Sequence, residues 1–140
     1  MTQYYIKPKL TNIIHPVIMF KLAKSYKKDM EPWQLYAVTR GQWKMNMNNA
    51  KDYKYALACD AGLVVEVFEI ESWHQCNETM NNQEKEYRKE NNLFVGKEGR
   101  IEFVGKIAPA EIRKQYFNSN VVKYWDRSQT PFKYVMPSTN

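Results

Sequence analysis

Tyr53-Lys54-Tyr55-Ala56-Leu57-Ala58-Cys59, then Asp60-Ala61-Gly62, then Leu63-Val64-Val65-Glu66-Val67-Phe68-Glu69-Ile70-Glu71-Ser72-Trp73: two runs rich in aromatic and β-branched residues flank a tight-turn signal. This pattern predicts an antiparallel hairpin. In the first run Tyr53, Tyr55, Leu57 and Cys59 fall on one face, whereas in the second Leu63, Val65 and Val67 share one parity and Phe68 and Ile70 take the other. A strand changes face only by accommodating an extra residue. A β-bulge is therefore expected near Val67 and Phe68, and bulges of that kind bend sheets towards barrels.

Working towards the N-terminus, Val17-Ile18-Met19-Phe20-Lys21-Leu22-Ala23 follows Pro16 and has the apolar run of a strand buried on both faces. Asp29 is placed to cap a helix over about residues 30–40, with Glu31 and Pro32 in its first turn and Gly41 beyond its end. Trp33, Tyr36 and Ala37 share one face of that helix, with Leu35 and Val38 beside it. Residues 41–47 read as a strand with Trp43, Met45 and Met47 on one side, and residues 48–52 as a short helical turn. Residues 1–15, which hold Pro8 and show no period, read as an N-terminal arm.

Towards the C-terminus, residues 77–99 are polar and charge-dense, broken only by Leu93-Phe94-Val95, and are expected to form a surface excursion or a flap. Ile101, Phe103, Gly105 and Ile107 alternate with Arg100, Glu102 and Lys106, the pattern of a half-buried strand. Pro109 opens a second helix, with Glu111 in its first turn and Ile112 and Tyr116 one turn apart. Residues 121–140 carry Val122, Tyr124, Trp125, Phe132, Tyr134 and Val135, too many large apolar groups for a free tail, so this segment is expected to pack back onto the sheet. Strands outnumber helices around one core, so the fold class is α+β: a small closed or half-closed sheet with helices at its ends, over residues 16–140.

Length and charge narrow the function. The 140 residues can bury one core without disulfides. Cys59 and Cys76 are the only cysteines and no leader pattern opens the sequence, which predicts a reducing, cytoplasmic setting. No apolar run approaches a bilayer span, so no membrane partner is expected. Of the formal charge of +6, all resides in residues 1–60, with ten Lys/Arg against four Asp/Glu; residues 61–140 have eleven of each. That asymmetry suits an anionic partner such as nucleic acid or a small nucleotide, although scattered solvated lysines give the same count. Abundant Asn, Lys and Tyr with only five Gly is the bias of AT-rich coding sequence, of which phage genomes are one source.

Four segments, VIMFKLAKSYKKDM, LYAVTRGQWKMN, YALACDAGLVVEVFEIESW and IEFVGKIAPAEIRKQY, cover well over half the chain and together resemble the PUA-like domains of bacteria and phages, related in architecture to ASCH, EVE and YTH modules. The resemblance implies a small β-barrel whose mouth or side cleft takes a base or nucleotide. Such domains often sit beside a nuclease or other effector; with none in these residues, binding without catalysis is the expectation.

The candidate chemistry centres on Thr39-Arg40-Gly41-Gln42-Trp43, where a helix pattern stops and a cation and an indole adjoin. Arg40, Trp43, Tyr55 and Trp73, with Lys44 and Tyr36 outside them, form the candidate ligand-binding set. Trp43 and Trp73 would edge or sandwich a base, and Arg40 would fork onto a phosphate or base edge. The competing structural reading makes the tryptophans core residues and Arg40 a cation favoured at a helix C-terminus. His74, Cys76 and Glu78, even with His15 or Cys59, give one ligand pair where structural zinc needs two, so neither a metal nor a cofactor is expected. His74 beside Cys76 could also serve nucleophilic catalysis, a common arrangement by chance, and Glu66, Glu69 and Glu71 read as the solvated face of a strand. No catalytic residue is expected. Three functions follow: a non-enzymatic domain that reads a base, plain or modified, in nucleic acid or a nucleotide-derived molecule; a phage counter-defence protein that sequesters a small nucleotide immune signal; or a nuclease or nucleotide hydrolase. A homodimer stays open.

Overall fold

The computed structural model describes residues 8–125 and 130–137, and shows an α+β fold built on a seven-stranded mixed sheet. In chain order the elements are β1 (Lys9–Leu10), β2 (Val17–Lys21), α1 (Pro32–Thr39), α2 (Met47–Ala50), β3 (Tyr55–Asp60), β4 (Leu63–Gln75), α3 (Asn82–Glu90), β5 (Ile101–Ile107), α4 (Ala110–Tyr116), β6 (Ser119–Asn120) and β7 (Phe132–Val135). The sheet runs β1-β6-β4-β3-β2-β7, with β5 on the distal half of β4. Among the described residues it does not close on itself.

The hairpin forms as expected, with β3 antiparallel to β4 across the turn at residues 60–62. The bulge position is corrected. Instead of one extra residue near Val67, β4 carries two irregularities: Cys59 pairs with Val64 and Ala58 with Glu66, leaving Val65 over, and Ile70 pairs with Gly105 and Ser72 with Val104, leaving Glu71 over. The first puts Val64 and Val67 into the same core although they are three residues apart. The second lies where β4 has exchanged β3 for β5 as its partner, and Gly105 opposite it has no room for a side chain, since a Cβ there would lie 2.2 Å from the Glu69 carbonyl oxygen.

β2 and β3 pair in parallel and are buried on both faces. One face sends Val17, Met19, Tyr55, Leu57 and Cys59 into a core closed by Ile112 and Tyr116 of α4 and by Trp125. The other sends Ile18, Phe20, Ala56 and Ala58 into a core closed by Leu35 and Val38 of α1, Met45 and Phe103. Tyr53, expected to share a face with Tyr55, precedes β3 and packs against this second core. Nearly continuous hydrophobic strands are what burial on both sides requires. Of the C-terminal segment, the described residues 121–125 and 130–137 pack back as expected, β7 lying antiparallel to β2, while residues 126–129 and 138–140 lie outside the described residues.

Local signals explain the other boundaries. α1 starts on Glu31 rather than Asp29: Glu31 accepts from the helix N-terminus while Gln34 Oε1 accepts from the Glu31 N–H at 2.7 Å, a capping box with Pro32 in the first turn. The strand expected over residues 41–47 reduces to one bridge, Trp43 and Ile101 exchanging N–H···O bonds of 2.9 Å each. Beyond it the Asn46 side chain accepts from the Asn48 and Asn49 N–H groups and starts α2, a local hydrogen-bonding alternative that competes with a ladder. The polar residues 77–99 contain an ordered helix, α3, packed on α1. Its capping box, Asn81 with Glu84, is visible in the sequence as N-x-x-E.

Candidate functional site

The end of α1 and the segment before α3 are joined by a buried charge cluster. Gly41 follows α1 because nothing larger fits: a Cβ at that position would lie 2.7 Å from Glu102 Cβ. Glu102, read from its alternation as solvent-facing, is wholly buried. Its carboxylate accepts the N–H groups of Asn77 (2.7 Å), Thr79 (2.8 Å) and Met80 (3.1 Å) and the Thr79 hydroxyl (2.6 Å). Burial alone would push its pKa up, but these bonds and the nearby Arg40 hold it below the usual glutamate value.

Arg40 belongs to the same cluster. Its Nε donates to the Phe103 carbonyl at 2.9 Å, Nη1 to both Glu84 oxygens at 3.0 Å, and Nη2 to the Thr79 hydroxyl. Nη2 also lies 3.9 Å from Glu102. With only 2 % of its surface exposed, Arg40 serves the interior rather than a phosphate, which corrects the role expected of it. Gln42 extends the network: its amide donates to Asn77 Oδ1 at 3.1 Å and its Oε1 accepts from the Gly96 N–H at 2.7 Å.

Arg88, one turn after Glu84 on α3, is also buried, but all its bonds go to neutral oxygens. Nε and Nη2 donate to the Phe94 carbonyl at 3.1 and 2.9 Å, and Nη1 donates to the carbonyls of Ala37 (3.1 Å) and Gly41. Burial lowers its pKa to about 10, against the pull of Glu102 and Glu84, so it stays charged at neutral pH.

Above this cluster lies a cleft of about 380 Å3. Trp43, Leu93 and Phe94 give it apolar walls, and Lys44, Arg88 and Arg100 give it positive charge, with Lys21 at its margin. No Asp or Glu among the described residues lines it. Trp43 is half-buried, tilted by 32° against Phe20 with ring centroids 4.7 Å apart, and donates its Nε1–H to the Thr39 carbonyl at 2.8 Å. Phe94 is 52 % exposed, with Arg100 Cζ 4.3 Å and Lys97 Nζ 4.6 Å from its ring centroid. Arg100 spends one N–H on the Gln42 carbonyl at 3.1 Å. Lys44 is exposed and bonds no described residue. Flat rings bordered by cations without carboxylates can take an aromatic anion.

Of the six expected site residues, the fold brings only Trp43 and Lys44 to this cleft. Tyr36 points inward, its hydroxyl accepting from the Gly105 N–H at 2.9 Å and its ring against Phe68. Tyr55 lies in the core on the opposite face of the sheet, 5.4 Å from the His15 ring. Trp73 lines a separate cleft of about 310 Å3 with Tyr53 and Lys51 and packs edge-on to Phe103, so Trp43 and Trp73 do not sandwich a common guest. A further cavity of about 470 Å3 beside the turn at residues 60–62 is larger, but among the described residues it combines one carboxylate, Asp60, with one cation, Lys21, and suits an anion less. Sequence reasoning missed Arg88 and Phe94 because residues 77–99 read as solvated, and Arg100 because it read as the polar side of the strand that follows; the i, i+4 pair Glu84 and Arg88 after an N-x-x-E cap was the available signal.

His74 Nδ1 lies 3.8 Å from Glu78, and the Cys76 thiol donates to the Lys97 carbonyl at 3.1 Å. Glu66 accepts from Arg113 Nε at 2.8 Å. None of the described helices is long and apolar enough to cross a membrane. Compared with protein-family models, curated proteins and solved structures, the chain matches none.

Proposed function

We propose that the chain is a PUA-like, non-enzymatic domain that binds a nucleotide unit in the cleft beside Trp43. The reading is carried by one observation: Trp43 and Phe94 share a concavity with Lys44 and Arg100 that no carboxylate among the described residues lines. The exposed Phe94 ring and the accessible edge of the half-buried Trp43 ring offer stacking surface, worth about 1–3 kcal/mol per base in single-strand binders, and the cations offer partners for phosphate. The mixed sheet with its long, twice-bulged β4 is compatible with such a domain, and the cleft lies at the start of β5 beside its bridge to Trp43.

The volume of about 380 Å3 suits a single nucleotide unit. That unit belongs to a strand in the first reading. The second reading, sequestration of a free nucleotide signal, draws on the same volume and on the wall supplied by Leu93 and Phe94. Salt separates them, because strand binding releases many counterions and weakens steeply with ionic strength. The test is to incubate the protein with cell extract and with panels of nucleotides and oligonucleotides, release bound material by heat and identify it by mass. A retained oligonucleotide supports the first reading and an intact small nucleotide the second. A changed product makes the protein a hydrolase, and an empty protein overturns the proposal.

A further inference from the structure

Among the described residues, the buried cluster and the half-exposed Arg100 at the cleft above it together carry one cation more than anions. Three guanidiniums, Arg40, Arg88 and Arg100, face two carboxylates, Glu84 and Glu102, all close enough to influence Arg88 electrostatically. Arg40 takes Glu84 directly and approaches Glu102. Glu102 is otherwise committed to the N–H groups before α3. Arg88 is left buried with only neutral carbonyl oxygens as partners. Burying a cation without a counter-charge is costly, and folds that retain one generally compensate it. Arg113, by contrast, is paired with Glu66 on the surface.

Arg88 and Arg100 line the cleft together, and Lys44 stands beside them with no described partner of its own. We infer that this corner of the cleft is an oxyanion subsite that takes the phosphate of the guest, with Arg100 and Lys44 donating to it and Arg88 supplying charge from the floor. The inference rests on the nucleotide-binding reading and sharpens it: the guest is a phosphorylated nucleotide, not a free base or nucleoside. α3, which introduces Arg88, thereby supplies one of the three cations of the subsite.

The test compares inorganic phosphate, the common nucleosides and their 5′-monophosphates at constant ionic strength, by thermal shift and calorimetric titration. Inorganic phosphate is expected to raise the melting midpoint above that in chloride, and at least one monophosphate to bind about tenfold or more tighter than its nucleoside, as a charge-assisted contact predicts. Arg88→Gln removes three carbonyl contacts as well as a charge and serves poorly; Arg100→Gln and Lys44→Gln sit at the rim and are expected to keep the midpoint while erasing the preference for the monophosphate. Nucleosides and monophosphates binding alike would overturn the subsite and leave the nucleotide reading standing. Phosphate binding with no affinity for any nucleotide would support the subsite and overturn that reading. No response to any probe would overturn both.

Discussion

Glu102 lies directly under Gly41, so the end of α1 and the start of β5 approach as closely as two backbones with one side chain between them allow. Gly41→Ala would place a methyl 2.7 Å from Glu102 Cβ and 3.2 Å from its Cα. Overpacking of this kind costs about 1–3 kcal/mol. The expected outcome is a lower melting midpoint with unchanged secondary structure; a midpoint equal to that of the parent protein would mean the two segments separate easily.

The Glu102 carboxylate makes stability depend on acid. Its folded pKa lies below its ordinary value of 4.5, so its contribution is fully present above that pH and is lost as pH falls through the lower folded value. Denaturant titrations should show stability declining below about pH 4.5 more steeply than in Glu102→Gln. At neutral pH that variant is expected to be less stable by about 3 kcal/mol, since it leaves Arg40 and Arg88 with one carboxylate fewer.

Arg40→Ala should act on folding. It strips Glu84 and Glu102 of their buried counter-charge, a loss of about 3–5 kcal/mol by analogy with other broken buried pairs. Urea unfolding checks this, and a variant of parental stability would mean that the guanidinium contributes nothing to the interior.

Phe94→Ala is the complementary case. Phe94 is half exposed, so its truncation should leave the unfolding midpoint nearly unchanged while weakening nucleotide binding by about 1–3 kcal/mol. Calorimetric titration reads the affinity, and loss of ligand-induced tryptophan quenching in Trp43→Phe, with Trp33, Trp73 and Trp125 kept, assigns the position. Unchanged affinity would take the ring out of the site.

The two cysteines should differ sharply towards an alkylating reagent at pH 8. Burial pushes the Cys59 thiol up to about 12, keeping it protonated and inert, whereas Cys76 is partly accessible. One equivalent should react in the folded protein and two after denaturation, as counted by mass.

The sheet was largely legible from sequence because period-two alternation and unbroken apolar runs report burial directly: β2, the hairpin of β3 and β4, and α4 all fall where Val17, Tyr55, Leu63 and Ile112 indicate. The site was much less so. Arg40 and Trp43 adjoin in sequence, yet the helix end turns the first into the protein and leaves the second at a cleft wall. Glu102 and Arg88 look solvated by composition, and only the meeting of β5, α1 and α3, far apart in the chain, shows that each is buried. Periodicity describes one element at a time, whereas a buried polar cluster is a property of three elements at once.

β2 is paired on both edges, by β3 on one side and β7 on the other, and the β7 register joins Val17 to Val135. A nascent chain leaving the ribosome therefore carries this strand half-paired until residues 132–135 have been synthesised. Such late, long-range closure slows folding and exposes an unsatisfied strand edge meanwhile. Expression at reduced temperature or with chaperones should then raise the recovered yield, and C-terminal fusions that hinder β7 from docking should lower it.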